Sequence, residues 1–349
     1  MILCYRLWLG ERNFPLCPSF TWMHAPAFVH LIIFAASCIL LVCIIVVQSP
    51  AKFITGFVVL GALMALFDEN RWQPWFYQYL VMFFVLGSKC EQNIEKERVL
   101  NLLRFTIAAI YFWSGLNKLN PNFPGDMFPW LMEPITNHLT AGSISKLQWL
   151  AYLFPIAETA TGIALLIPQL RKPALASVIF MHVFILFSLG PLGHNYNPVV
   201  WPWNIAMVCF CLILFKGEKI NMGQFKNMLR PFRHKLVFGV FALAPLLCFF
   251  NAWPSYLSHN LYSGNTSNGV IYISDSVEAI LPEAIKPYSI GEMNQNQITI
   301  KYWCMQELGV PAFPEKRNFQ SVAGTFYQYA SDSSEIYFMF TPKMSIRDL

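Results

Sequence analysis

Long apolar runs separated by short polar or basic turns make up most of this chain. A helix needs ~20 apolar residues to cross the hydrocarbon core of a bilayer. On that ruler eight segments read as predicted transmembrane helices, at roughly residues 27–48, 53–67, 75–88, 99–119, 147–167, 173–190, 199–215 and 236–252. The second and third are short and are joined by Asp68-Glu69-Asn70-Arg71-Trp72-Gln73-Pro74, so a tilted or re-entrant hairpin, with six or seven full spans, is the alternative there. From about Ser255 the pattern changes. Gly269 to Ser274, Gln297 to Trp303 and Glu335 to Phe340 are β-rich runs bounded by Gly, Asn, Ser and Pro, and Val277 to Ala284 has room for one or two helical turns. The expected fold is an all-α polytopic membrane bundle of about eight transmembrane helices carrying a small C-terminal β-rich extramembrane domain. Its parts are an external segment 1–26, a transmembrane domain 27–254 and an external domain 255–349.

Composition agrees with residence in the lipid bilayer: 56% of residues are hydrophobic and only 12% charged, about half the charged fraction of an ordinary soluble domain. Arg6, Glu11 and Arg12 interrupt the first apolar stretch and Pro15, Pro18 and Pro26 break the residues beyond it, so the first 26 residues do not read as a signal peptide. The formal charge of +5 is not a nucleic-acid signal, because the basic residues concentrate in one loop between spans. Nine cysteines without a CxxC give neither a metal framework nor a thioredoxin-like pair. Cys211 reads with Cys38, Cys43, Cys209 and Cys248 as a small lipid-facing or packing residue, and Cys17 and Cys304 are the pair available for a disulfide.

Basic residues beside the spans set the orientation. Lys216, Lys219, Lys226, Arg230, Arg233 and Lys235 face a single acid, Glu218, in one loop; Arg171-Lys172 and the turn from Lys89 to Arg98 are the other basic turns. With eight spans all three fall on one side. That side is expected to be cytoplasmic, with both termini outside a plasma or inner membrane.

Ionisable side chains inside spans are expensive, so each asks for a partner. Glu158 lies halfway along the fifth predicted span and His182 halfway along the sixth, at similar depth, where they read either as a structural hydrogen bond or as a proton-handling pair. Near the outer surface Tyr111, Asn117 and Lys118 end the fourth span, and Gly193-His194-Asn195-Tyr196-Asn197-Pro198 leads through Trp201 and Asn204 into the seventh. Such a density of amide, imidazole and indole groups in a Gly/Pro-shaped loop can line a cavity, while the tryptophans also suit an interfacial aromatic belt. Lys118 is either snorkelling to water or lining an outward-opening pocket.

The run Tyr-Phe-x-x-Gly-x-x-Lys-Leu-x-x-x-Phe from Tyr111 to Phe123 resembles the helix end of vitamin K-dependent gamma-carboxylases and of their relatives, the horizontally transferred transmembrane domain (HTTM) proteins. Its core, Ser114-Gly115-Leu116-x-Lys118-Leu119, is also similar to the DoxX and DoxD proteins. Glu158, His182 and Tyr262-Ser263-Gly264-Asn265 fit the same HTTM pattern. The resemblance implies that Lys118 acts as a base on a reduced quinone, with Glu158 and His182 in the catalytic set; the polar cluster near the outer surface makes Tyr111, Asn117, His194, Asn195, Trp201 and Asn204 the expected ligand-binding residues. It implies no metal. Two features depart from full carboxylases: no histidine occurs between His30 and His138, and little more than ninety residues come after the last span. The expected function is therefore an HTTM-like protein that binds or acts on a quinone-like ligand. The competing class is a non-enzymatic, DoxX-like accessory subunit of a redox or export system, whose external domain meets a redox or membrane protein partner.

Overall fold

The computed structural model describes residues 1–87, 93–137, 139, 140, 147–216, 225–292, 295–346 and 348. Residues 88–92, in the basic turn after the third run, and 217–224, in the most basic loop, lie outside them. The main helices are α1 (Ala27–Val46), α2 (Ala51–Phe67), α3 (Pro74–Leu86), α4 (Asn93–Asn117), α5 (Phe128–Thr136), α6 (Leu150–Leu166), α7 (Arg171–Leu189), α8 (Val200–Phe215), α9 (Phe232–Phe238), α10 (Asp275–Ile280), α11 (Ile300–Leu308) and α12 (Lys316–Gly324). Four strands, β1 (Asn268–Ile273), β2 (Ile290–Glu292), β3 (Gln295–Thr299) and β4 (Ile336–Thr341), form one antiparallel sheet in the order β2-β3-β1-β4.

Every predicted apolar run contains helix, but the count of eight spans is not established. Among the described residues, four segments are long and apolar enough to cross a membrane: Ala27–Val46, Glu95–Asn117, Pro168–Leu189 and Phe232–Phe250. The helices Ala51–Phe67, Pro74–Leu86, Leu150–Leu166 and Val200–Phe215 are shorter. At ~1.5 Å per residue, a helix the length of α3 reaches only ~20 Å of a ~30 Å hydrocarbon core. The protein is an integral membrane protein with several apolar helices, and α1 shows why: Phe28, Leu31, Ile32, Ile39, Val42 and Ile45 are exposed along it, a surface that only lipid covers without penalty. The last apolar segment starts as α9, widens into a π turn at Gly239–Leu243 and tightens to a 3-10 helix at Ala244–Phe250. Pro245, which has no N–H to give the preceding turn, sits at that change.

The chain divides into two compact units, residues 1–80 with 267–343 and residues 81–266 with 344–349. In the first, Arg71 is fully buried and donates to the carbonyls of Leu7 (2.9 Å), Met64 (2.9 Å) and Trp8 (3.2 Å). Asp68 pairs with Arg12 at 2.6 Å, and Arg317 pairs with Glu69. Glu307 accepts the backbone N–H groups of Asn13 and Phe14 on one oxygen and the indole N–H of Trp303 on the other. Buried charges of this kind persist only when fully partnered. Cys17 and Cys304 are both buried here as free thiols, not as a disulfide, and burial pushes the Cys17 thiol up to about 12.

The run from Gln297 to Trp303 is a strand only as far as Thr299. From Ile300 the burial of Ile300, Trp303, Cys304 and Leu308 follows a helical period, and Gly309, in the left-handed region at φ 71°, stops the helix. β1 packs under α11 and α12 so closely that a Cβ on Gly269 would stand 3.0 Å from Phe319 and 3.1 Å from Ile300.

Candidate functional site

The second unit places its polar side chains by a close helix crossing. α4 and α6 touch through glycine: a Cβ on Gly115 would meet the backbone nitrogen of Thr159 at 2.4 Å, and one on Gly162 would meet the carbonyl of Ala108 and the nitrogen of Phe112 at 2.6 Å. Small residues at a crossing let two backbones approach in lipid, where no hydrophobic effect draws helices together. The approach sets Lys118, one turn beyond Gly115, against Glu158, the residue before Thr159. Replacing Gly162 by alanine is expected to force the backbones apart at a cost of ~1–3 kcal/mol, seen as a lower unfolding temperature in detergent; an unchanged temperature would mean the crossing is not tight.

Lys118 Nζ donates to Glu158 Oε2 at 2.8 Å, to Ser114 Oγ at 2.7 Å and to the Ser114 carbonyl at 3.3 Å. The side chains of Lys118 and Glu158 are 12% and 17% exposed, so the lysine is held beside a cavity and does not extend into bulk water.

A second polar group joins three helices. Tyr111 Oη lies 2.6 Å from His182 Nε2, and His182 Nδ1 lies 2.6 Å from Asn204 Oδ1. One contact fixes the proton positions: Asn204 Nδ2 stands 2.7 Å from the Val200 carbonyl, which can only accept. The amide orientation is thereby set, Oδ1 accepts, and His182 carries its hydrogen on Nδ1. Tyr111 must then donate to Nε2, while its oxygen receives the Cys211 thiol at 3.6 Å. The chain of donors runs one way, from Cys211 through Tyr111 and His182 to Asn204 and the backbone.

Both groups line one cavity of about 110 Å³. In this measure ~10–15 Å³ accommodates one water, so the space suits a ring-sized ligand. Its walls are Phe123, Phe154, Phe184 and Trp203 with Leu131, Leu189 and Val200, and His259 and Tyr262 contribute from the segment after the last apolar helix. Both of those residues adopt the left-handed conformation, at φ 57° and 54°, a backbone state that bulky side chains adopt only where the surroundings impose it. Burial pushes the His259 imidazole down to about 3, which keeps it neutral.

Of the residues singled out in the sequence, Tyr111, Lys118, Glu158, His182 and Asn204 meet at this cavity. Glu158 and His182 share it, each with its own hydrogen-bond partners. The other four are engaged elsewhere. Asn117 donates to the carbonyls of Trp113 and Ser258. His194 stacks on Trp130 with ring centroids 4.3 Å apart and contacts its carbonyl at 2.7 Å. Asn195 forms the left-handed corner of the loop at φ 48°, and Trp201 donates to the Leu189 carbonyl. Sequence reading gave no part to Ser114 or Cys211. Their spacing was the available signal, since Tyr111, Ser114 and Lys118 recur along one face of α4, and Val200, Asn204, Met207 and Cys211 along one face of α8.

Residues 96–199 match the family model of methylamine utilisation protein MauE. No curated protein and no solved structure matches the chain. The match covers the helix end with the lysine motif, which had suggested HTTM, gamma-carboxylase and DoxX proteins, and it is to a different membrane protein family. The carboxylase-like assignment is thereby corrected. The expectation that Lys118 acts as a base came from that assignment and does not carry over with the match.

Proposed function

We propose that residues 81–266 form a membrane-embedded binding site for a small lipid-soluble ligand with a ring-sized head, the quinone and quinol class being the type of molecule that fits. The observation that carries this reading is an apolar, aromatic-walled cavity that holds an ion pair and a directional hydrogen-bond chain. Charged groups inside a bilayer persist where they serve a function, aromatic walls favour offset stacking of a planar ring, and a mostly apolar pocket with few polar groups is the usual form of a small-molecule site. The Lys118–Glu158 pair orients the ligand head.

The test is a lipid extraction. Wild-type protein and Val200→Trp, whose indole would fill the cavity, are purified in the same detergent, and their extracts are compared by mass spectrometry with extract of the source membrane. A ring-bearing lipid is expected to be enriched in the wild type and at least ~10-fold poorer in the variant. Equal content in both would reject the site.

The family match favours a second reading, in which the chain is an accessory membrane component in methylamine utilisation. β4 lies at the edge of the sheet, with Tyr337 and Met339 exposed on it, and this offers a redox or membrane protein partner a surface.

The orientation belongs to either reading: the loop from Lys216 to Lys235 is cytoplasmic, both termini are outside, and the membrane is a plasma or inner membrane. In a cysteine-free background, a cysteine at position 226 should resist a membrane-impermeant maleimide in intact cells and react after permeabilisation. Labelling before permeabilisation would reverse the topology.

A further inference from the structure

The ion pair in the cavity is asymmetric. An ammonium has three hydrogens, and three acceptors stand around Lys118 Nζ: Glu158 Oε2, Ser114 Oγ and the Ser114 carbonyl. The carboxylate has a second oxygen, Oε1, for which the structure shows no donor among the described residues. The other fixed groups point the same way. The Tyr111 hydrogen is committed to His182 Nε2 and the His182 hydrogen to Asn204, so neither ring turns a hydrogen toward a ligand. The other donors on the cavity wall, the Ser114 and Tyr262 hydroxyls, the Trp203 indole, the His259 imidazole and one Asn204 Nδ2 hydrogen, all belong to neutral groups. A hydrogen bond with an ionised partner is roughly twice as strong as a neutral one.

From this inventory we infer that the cavity selects a ligand whose head donates a hydrogen bond, an O–H or N–H placed on Glu158 Oε1, over the same molecule with only carbonyl oxygens. The inference rests on the ligand-binding reading above and adds a polarity to it: of a quinone pair the site takes the hydroquinone, and it equally suits an alkyl amine. A carbonyl head brought to Oε1 would set two acceptors against each other in an apolar wall, leaving both without the donors that water provides.

Three probes separate the possibilities: a decyl-substituted benzoquinone, the same compound held as hydroquinone with excess dithionite under nitrogen, and decylamine. Each is titrated against the full-length protein in nanodiscs, with empty nanodiscs as background. The hydroquinone is expected to bind at least ~10-fold more tightly than the quinone, and Glu158→Gln, in which a neutral amide replaces the anionic acceptor, should bring the two within ~3-fold. Decylamine binding as tightly as the hydroquinone assigns the site to amines and hydroxyls alike; amine binding at the level of the quinone restricts it to hydroxyl heads. Both results uphold a donor-selective cavity. Quinone binding as tight as hydroquinone binding in the wild type overturns the inference while leaving the ligand site in place. No saturable binding by any probe overturns both. The wild-type comparison needs no variant, so misfolding of Glu158→Gln would not rescue a failed preference.

Discussion

Replacing Glu158 by alanine is expected to lower the unfolding free energy by about 3 kcal/mol, the usual consequence of leaving one buried charge without its counter-ion. Lys118→Ala should be milder, because the carboxylate it abandons is 17% exposed, more than the lysine itself. The double replacement Lys118→Met with Glu158→Leu should recover most of the loss, since two apolar side chains of similar volume remove both charges together. Unfolding of all four proteins in one detergent gives the coupling directly. Single-variant losses that add in the double, or singles indistinguishable from wild type, would mean the pair is a surface contact.

Arg71→Met is expected to be still more damaging, with a loss on the order of 4 kcal/mol and local release of the first twenty residues. Methionine fills much of the arginine volume but gives nothing to the carbonyls of Leu7, Trp8 and Met64; Arg12 still donates to the first, while those of Trp8 and Met64 have Arg71 as their one side-chain donor among the described residues. Each buried carbonyl without a donor costs ~1–3 kcal/mol. Arg12, whose side chain is 1% exposed in its pair with Asp68, should then open to trypsin. Cleavage after Arg12 in the variant, with the wild type intact, is the expected pattern; equal protection would show that the segment is anchored by other contacts.

Where apolar runs dominate, the sequence was a good guide, and the helices fall close to the predicted limits. It failed to measure how far each one reaches. α2, α3, α6 and α8 are largely apolar yet short, because Asp68, Gly87, Pro168 and Lys216 end or succeed them before a full span is complete. The misread of residues 300–303 has a similar cause: Ile298, Ile300 and Tyr302 alternate convincingly, but the helical spacing of Trp303, Cys304 and Leu308 and the glycine at 309 decide the outcome over a longer window. At the site, residues whose chemistry stands out in an apolar helix, Lys118, Glu158 and His182, were legible one by one. Their pairing was not, because it depends on glycines 115 and 162, whose meaning appears only once the two helices are brought together. The charged cluster around Arg71 and Asp68 was hidden for the same reason. Its partners come from residues 7, 8, 12 and 64, and a linear reading took the whole stretch from Asp68 to Pro74 as a polar connection.

If the cavity between α4, α6, α7 and α8 holds one lipid-soluble molecule, that molecule should travel with the protein out of the membrane. Native mass spectrometry of the full-length protein released from nanodiscs reads this without a probe. A single adduct of lipid-like mass per chain is expected to survive mild activation in the wild type and to be absent from Val200→Trp. An adduct of the same mass and occupancy in both proteins, or no adduct in the wild type after incubation with source lipids, would contradict the ligand site.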